Sequence, residues 1–382
     1  MDRERMLVNL FYAQPVGHAI EALHYCTGHA AAVPGREVSV ALNAATAVEL
    51  AAFCPAVTAV HPVDHPFLEP CEDSADRLRE LPRDWDWVVD DTRRHQPFQY
   101  ELFPGMRDYY AASDAHLRTP GGRRSVVGAE RAGYRPHQRL RLDLPLAVRE
   151  QAARRLAPGR PPAGRIAFMP AGSSDASLYP SPDSWLLVLD ALTEAFPGLE
   201  IVLVGRTARD RRTSTALTAE GLRALRGHRS SPVDCFDVPL AEQLAVVEAC
   251  DVFLAPHTGF GLAALAVGTP WLALSGGRWF EYWFNHVPFR SVLPDTGRHP
   301  SFSQFDPAVV VLDGDDGPRT PSMTRARVVE DLERIVGAAG ELLAGTLGYE
   351  RAVREYVTAL VAAHGGDSSA IWSIDSVHLQ YL

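Results

Sequence analysis

A histidine, a threonine and two glycines fall within five residues, His257-Thr-Gly-Phe-Gly261, where an apolar strand gives way to an apolar helix. Such a turn leaves backbone N–H groups at the positive end of a helix, an arrangement that holds a diphosphate without a cationic side chain. The amides of Thr258, Gly259, Phe260 and Gly261 are the expected donors. His257 either donates to a phosphate or sugar oxygen or is bonded within the protein. No lysine is on offer, because all 37 Lys and Arg positions of this chain are arginine. A guanidinium suits phosphate through its bidentate fork, and Arg206, directly after Gly205, is placed to act as a clamp. Gly172, Ser173 and Ser174 make a second small-residue turn, able to offer amides and hydroxyls to phosphate or to serve only as a turn.

The elements that must carry these turns are legible as a strand–helix alternation. Asp251–Leu274 reads as a strand, the turn, a helix and a further strand. Before it, Arg165–Asp175 is a strand ending in the Gly/Ser turn, with a helix around Trp185–Ala195 and a β-branched strand at Leu199–Thr207. Leu240, Leu244, Val247 and Cys250 then recur at helical spacing in Pro239–Cys250. Strands alternating with helices predict a parallel, doubly wound sheet, and ligands of such sheets bind outside the carboxyl ends of the strands. That rule gathers Gly172-Ser173-Ser174, Gly205-Arg206 and His257–Gly261 around one crevice.

The first half repeats the pattern. Met6–Leu23 gives a strand, a short loop with Gly17-His18 and a helix; Val38–Ala52 gives a strand and helix, Val57–Asp64 a third strand and Asp84–Thr92 a fourth. The order of these pieces resembles the heptosyltransferase family, the metal-independent inverting glycosyltransferases of GT-B architecture. The resemblance covers both halves and rests on strand endings and glycines. It implies an α/β fold of two Rossmann-like, doubly wound parallel-sheet domains facing an interdomain cleft. Residues 1–145 would bind the acceptor, 146–164 would form a linker in which a short helix gives way to a Pro/Gly-rich stretch, and 165–350 would bind the nucleotide sugar. Residues 351–382 would give a helix and tail packing back on the N-terminal domain. The chain departs from the family in having Gly17-His18 where an aspartate usually follows the glycine, His257-Thr-Gly in place of Asp-Thr-Gly, and no lysine near Ser173–Asp175. A Gly-His pair in the first loop is similar to the plant and antibiotic glycosyltransferases of the same fold, whose histidine is the base.

The resemblance implies transfer of a sugar from a nucleoside-diphosphate sugar to a hydroxyl of a saccharide or specialised-metabolite acceptor, with no metal and no cofactor besides the donor. His18 is the candidate general base, since an imidazole titrates near neutrality and a carboxylate at a neighbouring strand end would hold its tautomer. Asp91 is the favoured partner and Asp90 the alternative, only one of two adjacent strand residues facing the same side. A nucleotide-sugar epimerase of the same architecture, or a non-catalytic partner subunit, fits the same elements. Glu248 is a candidate acceptor for ribose hydroxyls or a solvated helix residue. Trp279 and Phe280, with Glu281 between aromatic neighbours, either line a sugar or base pocket or pack a core. Phe98–Gly122 lacks a clear period and would form acceptor-selecting loops. The Asp84-Trp-Asp86 pair opens a strand rather than closing one, which argues against a metal–diphosphate site.

Composition sets the outer limits. A length of 382 residues suggests two domains, and 46% hydrophobic with 22% charged residues are globular values. A net charge of −10 argues against nucleic acid as a partner. Cys26, Cys54, Cys71, Cys235 and Cys250 show no metal-finger spacing and read as reduced, buried thiols. The charged Met1–Met6 start and the lack of any run near membrane-span length lead to the expectation of a cytoplasmic protein without an integral membrane segment. Abundant Ala, Arg, Gly and Pro without lysine fits a GC-rich bacterial genome.

Overall fold

The computed structural model describes residues 3–11, 15–64, 81–82, 84–90, 117–118, 121–126, 128, 131–208, 214–276, 285–300, 309–314, 317–371 and 373–382. The chain divides into two compact units, the first ending at Asp143 and the second beginning at Leu144.

The first unit is built on five strands, β1 (Arg5–Leu10), β2 (Glu37–Asn43), β3 (Ala59–Val63), β4 (Trp87–Asp90) and β5 (Arg123–Ser125). They lie in the order β3-β2-β1-β4-β5, every pairing parallel. β1 and β2 are buried along nearly their whole length, as expected of strands covered on both faces. The helix Val16–Ala32 carries the chain from β1 to β2. Leu7, Phe11, Ala41, Val63, Leu81, Trp85 and Val88 pack together as a core. The helix expected after the second strand is a 3₁₀ turn, Val48–Phe53, closed by i to i+3 bonds such as Cys54 N–H to the Ala51 carbonyl and stopped by Pro55. Asp84 and Asp86 are structural: Asp86 accepts the Arg5 amide at 2.7 Å and pairs with Arg118, while Asp84 pairs with Arg5.

The second unit holds six parallel strands, β6 (Arg165–Phe168), β7 (Glu200–Gly205), β8 (Val233–Phe236), β9 (Val252–Pro256), β10 (Trp271–Leu274) and β11 (Phe289–Val292). Their order is β11-β10-β9-β6-β7-β8. A small antiparallel pair, β12 (Val311–Leu312) and β13 (Pro318–Arg319), follows. The short helix expected at the start of the connector is Leu146–Arg155, which belongs to this second unit and packs on the helix Leu240–Glu248. Arg149 grips Glu248 with both Nε and a terminal nitrogen at 2.6 and 2.8 Å, and Arg155 pairs with Glu242. The terminal helix Tyr349–Ala363 packs on β11, with the Tyr356 ring edge-on to Phe289 at 5.4 Å. Arg325–Glu330 and Leu332–Leu343 are successive helices separated at Asp331, whose carboxylate draws in Arg327 and Arg334 at 2.8 and 2.5 Å. Among the described residues no helix is long and apolar enough to cross a membrane.

Candidate functional site

In both sheets the chain winds outward from a central strand, then returns to wind the other way. The reversal falls between β1 and β4 in the first unit and between β6 and β9 in the second. Loops leaving the carboxyl ends of such neighbours diverge and leave a crevice.

At the second reversal, Pro256 ends a fully buried strand and Thr258 caps the helix Gly259–Ala266. The Thr258 hydroxyl accepts the Gly261 N–H at 3.3 Å, and the Thr258 carbonyl takes the same N–H at 3.0 Å. That leaves the Gly259 and Phe260 amides facing outward from the positive helix end, with no acceptor among the described residues. Gly261, expected as a phosphate donor, has its amide occupied. Its missing side chain matters for packing, since a Cβ there would lie 2.2 Å from the Trp271 indole. The His257 ring sits edge-on to Trp271 at 6.0 Å, and burial lowers its pKa to about 4. It is a neutral imidazole at pH 7, able to give one N–H but no positive charge.

Across the reversal, the loop after β6 comes up to the same cap: a Cβ on Gly172 would meet the Thr258 methyl at 3.3 Å and the Tyr179 hydroxyl at 2.8 Å. Tyr179 was not foreseen from the sequence. Its oxygen accepts the Ser174 N–H at 3.2 Å, and burial raises its pKa, so the phenol stays protonated and shapes the loop. Ser173 and Ser174 are exposed, whereas Ala171 and Gly172 are buried. Asp175 caps the next turn by accepting the Ser177 amide at 2.8 Å.

β7 flanks β6 on its other side and ends at Gly205. This residue has φ +152°, and a Cβ would strike the Phe236 ring at 2.6 Å. Its N–H and carbonyl are both taken by the Gln243 amide, at 3.1 and 3.0 Å, so Gly205 sets the loop's path rather than offering a donor. Arg206 follows, half-buried, with Asp237 in its field. Burial pushes the Asp237 carboxyl up, but the Thr207 amide and hydroxyl, the Ala208 amide and Arg206 outweigh it and hold the pKa below its usual value. Glu248 is paired with Arg149.

At the first reversal, Asp90 ends β4 at 2% exposure. Asn9 donates to one of its oxygens at 2.8 Å and Arg123 to the other at 2.6 Å. His18 lies in the first turn of the helix Val16–Ala32, its side chain 21% exposed, and the carboxylate 3.6 Å from its Nδ1 is Glu21. Glu21 is buried and accepts from the Tyr25 hydroxyl at 3.5 Å. The sequence carried the signal, since positions three apart on a helix share a face. Asp91, Trp279, Phe280 and Glu281, and nearly all of the loop segment 98–122, lie outside the described residues.

Two successive Rossmann-like domains, each offering loops at its own sheet reversal, are the GT-B fold of glycosyltransferases. The chain is similar to the glycosyl transferase family 9 structure from Veillonella parvula DSM 2008, with 14% identity over 90% of this chain and 98% of that one, and a TM-score of 0.58. It is also similar to the E. coli heptosyltransferase WaaC with ADP-2-deoxy-2-fluoro heptose, with 13% identity over 86% and 99% of the two chains and a TM-score of 0.50. No protein-family model and no curated protein matches the chain. At these identities the likeness is one of fold, and the fold is the one that the heptosyltransferase resemblance implied.

Proposed function

We propose that the chain is an inverting glycosyltransferase that moves a sugar from a nucleoside-diphosphate sugar to a hydroxyl of a saccharide or specialised metabolite. The observation that carries this reading is the pair of outward amides, Gly259 and Phe260, at a helix start on the sheet reversal of the second unit. They meet the need of a leaving diphosphate, whose charge grows as the glycosidic bond breaks. The similar E. coli structure carries an ADP-sugar analogue, which makes an adenosine diphosphate sugar the first donor to try.

In this reading His18 takes the proton of the attacking hydroxyl, and the buried Glu21 stabilises the imidazolium as it forms. Glu21 thereby assumes the part expected of Asp91. The donor bond breaks at the anomeric carbon, the acceptor oxygen bonds there, and the diphosphate leaves with its electron pair.

Thermal-shift and calorimetric titration with ADP, GDP and UDP, followed by turnover assays with the matching sugar donors, test the proposal. His18→Ala is expected to lower turnover by about 10²- to 10⁴-fold while donor affinity holds. Absence of binding by every nucleoside diphosphate, or full turnover in the alanine variant, refutes it.

A further inference from the structure

The segment Pro318–Met323 forms a strap along the carboxyl edge of the second sheet. Thr320 donates its N–H to the Ser177 carbonyl at 2.9 Å, tying the strap to the loop after β6. Two residues on, the Ser322 hydroxyl donates to the Gly276 carbonyl at 2.5 Å, tying it to the loop after β10. Since the sheet runs β10-β9-β6, these two anchors bracket the loop after β9, the one that holds Thr258, Gly259 and Phe260.

Arg319 lies on this strap and is only 9% exposed. One terminal nitrogen donates to the Pro318 carbonyl at 2.9 Å, but its Nε is buried with no acceptor among the described residues. Its field reaches the β6 loop: Asp175 has a lowered pKa, chiefly through the Ser177 hydroxyl and amide and further through Arg319. A buried guanidinium with an unused N–H is costly unless an anion completes it. In a chain without lysine, that anion is the natural counterpart of the two outward amides.

We propose that Arg319 is a cation that binds the donor's phosphate oxygens, a specificity residue for the diphosphate beside Arg206, the arginine expected as its clamp. This rests on the donor reading above. The guanidinium adds charge-assisted hydrogen bonds to what the Gly259 and Phe260 amides supply.

Calorimetry on the full chain tests this with ADP, GDP and UDP and with the corresponding phosphate-free nucleosides. Arg319→Gln and Arg319→Met are expected to weaken diphosphate binding by roughly ten- to hundred-fold. Nucleoside binding should stay within about two-fold of the unaltered chain. Unchanged diphosphate affinity, or equal loss for nucleoside and diphosphate, overturns the role of Arg319 while leaving the donor reading intact. If the unaltered chain binds no nucleoside diphosphate, the donor reading fails and this assignment with it. Should neither variant fold, a crystal structure of the unaltered chain with the bound diphosphate decides. A guanidinium nitrogen within about 3.5 Å of a phosphate oxygen supports the role, and a longer separation overturns it.

Discussion

Replacing Gly261 with alanine adds one carbon at the third residue of the helix that follows β9. Built on the backbone, that Cβ lies 2.2 Å from two atoms of the Trp271 indole and 2.4 Å from a third. Carbon atoms rest comfortably near 3.5 Å, so the ring or the helix must retreat by about 1.3 Å. Trp271 has little room, being wholly buried on β10 with Phe253 at 6.1 Å and His257 at 6.0 Å. Overpacking of this kind costs about 1–3 kcal/mol, occasionally more, while alanine recovers up to about 1 kcal/mol of helix propensity. The clash is rigid, which favours the upper part of that range and a net loss of about 2 kcal/mol. For a unit of this size the loss corresponds to a drop of roughly 4–8 °C in Tm.

Urea denaturation and calorimetry measure the loss, and a double-mutant cycle assigns it. Trp271→Leu removes the ring, so in its background Gly261→Ala should cost about 1–2 kcal/mol less than in the unaltered chain. The same shift moves the Gly259 and Phe260 amides, so nucleotide affinity should fall with stability. A raised or unchanged Tm, or strictly additive effects in the cycle, refutes the packing role given to Gly261.

In the first unit, Asp90→Asn leaves the Asn9 contact available but turns an amide donor toward Arg123, and should cost about 2 kcal/mol in urea denaturation. A change below about 0.5 kcal/mol rejects the buried ion pair as a structural tie. Burial, aided by Arg36, lowers the pKa of His29 to about 4. Above about pH 6.5 it is neutral in both folded and unfolded chains; below that, the unfolded chain gains a proton that the folded one refuses, so stability falls toward pH 4. The loss approaches about 3 kcal/mol, and His29→Gln, measured at several pH values, should flatten the slope by that amount. An unaltered slope would show that His29 does not carry it.

The strand endings were open to inspection in the sequence because their apolar runs stop at residues with a steric duty. Pro256-His257-Thr258 and Val204-Gly205 mark the ends of β9 and β7, and the alternation with helices announced the two sheets. β5, β8 and β11 interrupt three or four residues with charged or polar side chains, which leaves too little apolar pattern to stand out. Side-chain commitments were hidden for a different reason. Whether Glu248 meets a ribose or Arg149, or whether the Gly205 amide meets a phosphate or Gln243, depends on partners 99 and 38 residues away. The Thr258 cap was implicit in a threonine before a glycine-started helix, but its use of the Gly261 amide required the turn itself. Glu21 was within reach of helical spacing alone, and Arg319 was not, since nothing local ties it to the β6 loop.

The pairing of β6 with β9 joins residues as far apart as Arg165 and Asp251, 86 positions along the chain. During synthesis β6, β7 and β8 emerge first and can zip together, while the flank of β6 that will receive β9 stays bare. A bare inner edge is a template for stray strands, so this half of the protein passes through a stage that is both ligand-free and adhesive. Arrival of β9 covers that flank, hands the open edge on to β10, and delivers Thr258 to Gly172, so that the crevice is born before the sheet is complete.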